Sequence, residues 1–392
     1  MNEIIVLNIS EQSPNEIDSR LNRTGQLSLE LAGSGYKVIW IGSSFSHQTK
    51  RYLKENEKKD LPNLKFFFLK SLSYKKNISI IRVINNFFLA IQALSLLLYQ
   101  TRPKMVYCYT PPIEVAFVSA IYSKFFKIPY MIDVRDNWPD SFEHLFPSFL
   151  QPLTKILFFP WRWMLSYIFS QANKITASSM QQADFAKKYT KDPFKESKVF
   201  YIGDDVPRMN IEPKNSESIE LLFIGTLTNA RPLFSTIRNL NDLKNQNICL
   251  SVIGDGDNLE IYKDLAKFNE KIRFFGRKTG HDLFKFVQNS DILIAPYEKA
   301  GYGWSMPAKI SSYIGFGRPI ITNIGNETKE FLENYALGSV IDFEDGNQFL
   351  NAIQEWSKVD KEKYYNNARI VYEENFDMKK IAKSMLEYIL ED

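Results

Sequence analysis

The sequence predicts an α/β chain built as two Rossmann-like, doubly wound domains facing a cleft. Three observations carry that expectation. Apolar, β-branched runs alternate with helix-period segments along the chain. The alternation breaks once, at a polar stretch containing proline, and then restarts. Glycines gather where the apolar runs end, the edge at which ligands of parallel sheets bind.

The elements follow in order. "EIIVLNI" (3–9) is the first strand. A polar loop through Asn22, Arg23, Thr24 and Gly25 leads to "QLSLELAGSG", where Leu27, Leu31 and Ala32 recur at helical spacing and a glycine closes the helix. "KVIWIGS" (37–43), "FFFLK" (66–70), "MVYCYT" (105–110), "PYMIDVRD" (129–136), "KITASS" (174–179) and "KVFYIGDD" (198–205) are further strands, with a helix at 113–126. "NIEPKNSES", 210–218, reads as linker. Beyond it come "ELLFIGT", "ICLSVIGDGD", "IRFFGR", "DILIAPY", "RPIITNIG" and "GSVIDF". The expected organisation is an N-terminal Rossmann-like domain over 1–208 and a linker over 209–218. A nucleotide-binding domain follows over 219–375, then a C-terminal helix over 376–392 that packs back toward the first domain. The 392 residues suit two domains of roughly 150–200 residues, each able to bury a core.

Composition narrows the function. Hydrophobic residues make up 44% and charged residues 24%, the balance of a soluble globular chain. A net charge of +4 without a basic stripe argues against a nucleic-acid partner. Three histidines with no Cys/His cluster offer no structural metal site. Cys108 and Cys249 sit in strand-like runs and read as reduced core residues of a cytosolic protein. "MNEIIVLNIS" lacks the pattern of a signal peptide. Val83–Thr101, the longest uncharged stretch, carries Asn85, Asn86, Gln92 and Ser95 and reads as non-spanning.

The chemistry concentrates in the second half. "FIGTLTNARP" (223–232) and "VIGDGDN" (252–258) are strands ending in glycine turns, where backbone N–H groups can approach a phosphate. Gly225, Thr226 and Arg231 belong to the first turn. Either turn alone is as well read as a plain strand–turn–helix corner; together, at the ends of one sheet, they favour an anion. "YGWSMPAKISSYIGFGRP" (302–319) adds to this. Pro307 suits a first helical turn, the glycines free the backbone, and Ser305, Lys309 and Ser312 share one helical face. A lysine at the positive end of a helix dipole is unfavourable unless an anion lies beside it; otherwise it points to water. "DGD" (255–257) reads as a glycine turn, not a metal-binding Asp-x-Asp.

These motifs, in their order, resemble the C-terminal domain of the two-domain GT-B glycosyltransferases, and more narrowly glycosyltransferase family 4, the retaining nucleotide-sugar enzymes. "GSSFSHQTKR" (42–51), "YTPPIEVAF" (109–117) and "DVRDNWPD" (133–140) extend the resemblance to the fucosamine-transferase-type branch that builds bacterial O-antigen and capsule polysaccharides. The resemblance implies a nucleotide diphosphate sugar as co-substrate, no metal or other cofactor, and a lipid-linked glycan acceptor. It implies a donor site at Gly225, Thr226, Gly276, Arg277, Glu298, Ser305 and Ser312, with Arg231 and Lys309 stabilising the leaving diphosphate. The family's paired glutamates align with Trp304 and Ser312 and are absent; Glu298 is a possible substitute or a solvated loop charge. On the acceptor side it implies His47 and Arg135 for binding and Asp136 to orient or deprotonate a hydroxyl. Asp136 is alternatively a helix N-cap and His47 a surface histidine.

Two segments mix aromatic and basic residues, as interfacial helices do: 145–169, with Lys155, Trp161, Arg162 and Trp163, and 70–92, with Lys70, Lys75, Lys76 and Arg82. They predict peripheral association with the inner face of the cytoplasmic membrane, or else are core helices. Two rival functions remain: a nucleotide-sugar 2-epimerase, and an inactive transferase-like subunit that the missing glutamates would favour.

Overall fold

The computed structural model describes residues 2–11, 13–14, 21–47, 49–53, 61–76, 79–143, 146–147, 149, 151–192, 195–209, 218–229, 232–243, 246–298 and 306–391. Among them, each of the apolar runs above contains a strand. Seven strands form one parallel sheet: β1 (Glu3–Leu7), β2 (Lys37–Ser43), β3 (Leu64–Leu69), β4 (Met105–Thr110), β5 (Tyr130–Val134), β6 (Lys174–Ala177) and β7 (Ser197–Val199). Their order is β3-β2-β1-β4-β5-β6-β7. Six form a second: β8 (Ile219–Ile224), β9 (Ile248–Ile253), β10 (Ile272–Phe274), β11 (Ile292–Ala295), β12 (Ile320–Thr322) and β13 (Gly338–Val340), in the order β10-β9-β8-β11-β12-β13. Each sheet reverses its order beside its first strand, between β1 and β4 and between β8 and β11. Loops diverge to opposite faces there and leave a crevice at the carboxyl edge. Several strands end earlier than the apolar pattern suggests, because Arg135-Asp136 and Gly203-Asp204-Asp205 already run in loops.

The chain forms two compact units, Met1–Tyr201 with Met378–Asp392, and Ile202–Asp377. Residues 202–208, expected to close the first domain, pack on the second. The Asp204 N–H donates to the Phe376 carbonyl (3.0 Å), Val206 N–H to the Tyr372 hydroxyl (2.9 Å), and Arg369 to the Val206 carbonyl (3.0 Å). Gly315 and Gly317 answer to the same packing. A Cβ on Gly317, which has φ +64°, would lie 2.3 Å from the Tyr365 ring, and one on Gly315 2.8 Å from the Tyr372 ring. These glycines let tyrosines approach; they do not open the backbone to a ligand.

In the first unit the period-two alternation of β1 sends Ile5 and Leu7 into one core and Ile4 and Val6 into the other. The C-terminal helix Met378–Leu390 adds Ile381, Met385 and Ile389 to the second of these, beside Leu27 and Leu31 of the helix Arg23–Gly33. The helix Ile80–Tyr99 is long and apolar enough to cross a membrane by length and composition alone. It is nonetheless the crossover between β3 and β4. Asn85 accepts from Leu72 N–H (2.7 Å) and Ser71 (3.1 Å), and Gln92 exchanges two bonds with the Lys70 backbone. Two of the polar residues that spoke against a spanning helix thus help to dock it, beside the buried Leu89, Ala93 and Leu97.

Arg23, read as part of a polar loop, is the first residue of its helix and wholly buried. Its guanidinium pairs with Asp133 of β5 and donates to the carbonyls of Ala177 (3.1 Å) and Phe200. Thr176 of β6 completes the network on Asp133 (2.8 Å). Arg23→Met leaves the Asp133 carboxylate buried without its counter-charge, and we expect a loss of about 3–5 kcal/mol. Adding Asp133→Leu restores most of it, because the buried charge is then removed as well. Urea unfolding of the two variants checks both; equal losses contradict the account.

Candidate active site

In the second unit the carboxyl edge is built from loops zipped to one another. Gly225 N–H donates to the Ile253 carbonyl (2.9 Å), Leu227 N–H to that of Asp255 (3.0 Å), and Gly254 N–H to that of Gly276 (2.9 Å). A Cβ on Gly254 would fall 1.8 Å from the Gly225 carbonyl oxygen, and one on Gly256 2.4 Å from that of Leu227. The glycines thus serve loop-on-loop contact. The Gly225 N–H, expected to face a phosphate, is already committed. Thr226 and Arg277 stand exposed on this ledge, with Gly276 at φ +67° between the loops. Glu298 is exposed after β11. Arg231, Trp304 and Ser305 lie outside the described residues.

The helix Ala308–Gly315 starts at this edge, with Pro307 as its N-cap residue. Tyr313 pins it to the end of β8: its hydroxyl accepts from Ile224 N–H (2.9 Å) and lies 3.2 Å from the Ile224 carbonyl. Lys309 is in the first turn. Its ammonium is shielded from solvent, 4.1 Å from the Phe223 ring centroid and 5.7 Å from that of Tyr313. The ring faces compensate a cation placed at the positive end of the dipole. It does not simply point to water. Ser312 is already engaged. Its hydroxyl bonds the Asp204 carboxylate and lies 3.1 Å from the Ala308 carbonyl. Asp204 therefore brings a carboxylate to this helix, one the reading of the sequence passed over. The sequence shows it only as "IGDD" after a strand, 108 positions away from Ser312.

In the first unit Ser10, after β1, donates to the Pro111 carbonyl after β4 (2.9 Å) and ties the two sides of the switch point. His47 is not a bare surface histidine. It lies in a recess at the ends of β1 and β2, its Nδ1 2.8 Å from the Tyr74 hydroxyl and 3.4 Å from Lys50 Nζ. Burial, then Arg82 and Lys50, bring its pKa down to about 4. Arg135, expected to bind the acceptor, is an internal ion pair. It reaches Glu11 at 2.9 Å, with both side chains under 10% exposed, and lies 5.5 Å from the Tyr109 ring. Burial opposes its charge, but Glu11 and its neighbours raise its pKa above the usual value. Asp136 does not cap a helix directly, since the next one, Asp140–Glu143, begins four residues on. Its carboxyl borders a cavity of about 340 Å³. Desolvation raises its pKa, against the N–H groups of Asn137 and Trp138 and the charge of Arg82. A carboxyl so placed is suited to handle a proton.

The aromatic and basic residues of 145–169 divide. Trp161 is not a surface ring: its indole N–H donates to Glu114 (2.8 Å) and it packs on Trp138. Arg162 is held by Asp140 (3.3 Å) and Glu143. Trp163 is 55% exposed and Lys155 is exposed. With them, Leu153, Ile156 and Phe159 are exposed on the helices Gln151–Leu157 and Phe159–Gln171, as are Ile80, Ile84, Phe87 and Ile91 on the helix Ile80–Tyr99. Apolar surface on this scale marks an interaction site. Among the described residues no group of three His, Cys, Asp or Glu side chains could hold a metal.

The setting of His47 gives a direct prediction. Its ring proton resonances should titrate near pH 4, not 6.5, and Arg82→Gln should raise the midpoint. Because the unfolded chain takes up this proton first, stability conferred by neutral His47 should be lost as pH falls from 6.5 to about 4. His47→Gln should flatten that slope; an NMR midpoint near 6.5 refutes the account.

Comparison with known proteins agrees with this geometry. Residues 218–358 match the family described as "Glycosyl transferases group 1". No curated protein matches the chain in sequence. Among solved structures, the sucrose-phosphate synthase of Thermosynechococcus elongatus superposes with a TM-score of 0.69 at 12% identity, covering 98% of each chain. The apo lipopolysaccharide outer core galactosyltransferase WaaB gives 0.65 at 12%, over 98% of this chain and 99% of the other. Anabaena HepE in complex with UDP-glucose gives 0.60 at 13%, over 99% of each. At such identities the structural likeness is one of fold. The chain therefore has the GT-B fold and carries a glycosyl transferases group 1 domain in its second unit, which makes it an enzyme of the glycosyltransferase class.

Proposed function

We propose that this enzyme moves a hexose or a deoxy- or amino-hexose from a nucleotide diphosphate sugar to a lipid-linked glycan in bacterial surface polysaccharide synthesis. The anomeric configuration is retained, and the reaction takes place at the inner face of the cytoplasmic membrane. The observation that carries the reading is Lys309 in the first turn of the helix that begins at the carboxyl edge of the group 1 domain. The bond broken joins the anomeric carbon to a diphosphate, so negative charge grows on the leaving group. A cation and a helix N-terminus stabilise that charge without metal. The solved UDP-glucose complex of HepE supports a nucleotide-sugar donor for this fold. Arg231 would add a second cation. Thr226, Gly276, Arg277, Glu298 and Ser305 remain proposed donor contacts. Asp204, held by Ser312, takes the place of a carboxylate on this helix and is assigned to sugar or ribose hydroxyls.

On the acceptor side Asp136 is assigned to orient the attacking hydroxyl, and His47 is kept as a second acceptor contact. The exposed apolar face with Lys155 and Trp163 is assigned to the membrane; Trp161 and Arg162 support it from within.

A thermal-shift series with UDP-, GDP- and dTDP-sugars should single out one donor class, since binding the native state raises its melting temperature. Lys309→Ala should weaken that donor at least tenfold by calorimetry, roughly 1.4 kcal/mol or more. A chain stabilised by none of these donors refutes the transferase reading. Ile156→Ser, Phe159→Ser and Trp163→Ser combined should release the folded protein from anionic phospholipid vesicles. Undiminished co-sedimentation refutes the membrane face.

A further inference from the structure

Phe223 is the penultimate residue of β8 and is wholly buried. Leu221, two positions earlier on the same side of the strand, is buried as completely, as is Leu222 on the other side. A packed core asks only for apolar volume at these places, and a leucine at 223 would supply most of it. What a ring adds is a π-face with negative charge density. That face carries the Lys309 ammonium, 4.1 Å from the ring centroid. The separation is well inside the reach of about 6 Å over which a ring attracts a cation.

The geometry is set from two sides. Tyr313 follows Lys309 by one helical turn and brings its own ring centroid to 5.7 Å from the ammonium. Its hydroxyl accepts from Ile224 N–H at 2.9 Å and lies 3.2 Å and 3.4 Å from the carbonyls of Ile224 and Ile294. Ile224 adjoins Phe223, and Ile294 belongs to β11, the neighbour of β8 where the strand order reverses. One pair of strands thus fixes both rings and the helix that bears the lysine.

A lysine side chain is a point charge on a flexible four-carbon stem, and left alone it samples many rotamers. A carboxylate could hold it still but would cancel its charge. A ring face attracts the ammonium and leaves that charge whole. Shielded from solvent, as the Lys309 ammonium is, the charge is also less screened. We propose that Phe223 is a positioning residue for the transfer. Its ring holds the Lys309 ammonium at the edge where diphosphate charge grows, so donor affinity follows the charge density of the ring face and not the volume of the side chain. This role rests on the assignment of Lys309 to the leaving diphosphate.

The test replaces Phe223 in the full chain by mono-, di- and trifluorophenylalanine. Successive fluorines drain the ring face while nearly keeping its size and apolar character. UDP, GDP and dTDP are titrated calorimetrically against each form. The diphosphate that binds the wild type should weaken stepwise with fluorine number, on the order of tenfold at three. The melting temperature of the free protein should stay level across the series, a combination that a ring serving only the core does not give. In a Lys309→Met background the series should be flat, because the cation that senses the ring is gone. Phe223→Leu should weaken the diphosphate as far as the trifluoro form does; if that variant does not fold, the fluorine series decides. Equal affinity across the series, with affinity lost in Lys309→Met, overturns this inference and leaves the transfer reading standing. A melting temperature that falls in step with affinity overturns it as well, as does a series still graded without Lys309. A wild-type chain that binds none of the three diphosphates overturns the transfer reading, and the role of Phe223 with it.

Discussion

The buried pairing of Arg23 with Asp133 is the constraint on which the first unit depends. A guanidinium at the first turn of a helix is disfavoured by the dipole, and one with no solvent exposure is costly to dehydrate. Both penalties are offset only if the helix sits where one carboxylate and two backbone carbonyls await it. Those partners come from β5, from the last residue of β6 and from the residue after β7, more than 100 positions away. The network thus sets the start of the helix Arg23–Gly33 against three strand ends. Asn22 helps by capping the same turn, its side chain accepting from Gly25 N–H at 2.7 Å. With that helix placed, Leu27 and Leu31 can meet the C-terminal helix over the second core.

The second unit solves a different problem. Its carboxyl edge gains stiffness by bonding loop to loop. Gly254 and Gly256 allow backbones to touch where any side chain would collide. Preorganisation of this kind helps catalysis because nothing has to reorder as charge develops. Lys309, held over two rings, and Asp204, held by Ser312, are fixed in the same way.

The first unit joins polar and apolar chemistry at one strand edge. Asn85 and Gln92 help fasten the helix Ile80–Tyr99 to the unit, while its Ile80, Ile84 and Ile91 stay exposed. Trp161 and Arg162, whose composition suggested surface, are spent on Glu114, Asp140 and Glu143 inside the cluster. An aromatic-basic segment reports amphipathic content; which ring faces out depends on the partner each finds.

By itself the sequence determined the elements and the class of fold. Strand and helix periods are local properties, so every apolar run marked its strand, and Ile113–Phe126 was legible to the residue. It also marked the carboxyl edges of the sheets through glycines, and put Lys309 at the start of a helix. Only the tertiary structure decided what those residues do. Gly225 and Gly254 serve packing because a neighbouring loop lies against them. Arg135 is an internal pair because Glu11, 124 positions away, reaches it. Asp204, Glu114 and Asp133 were invisible because a carboxylate declares its role only through partners distant in the chain, and spacing along one sequence carries no record of those meetings.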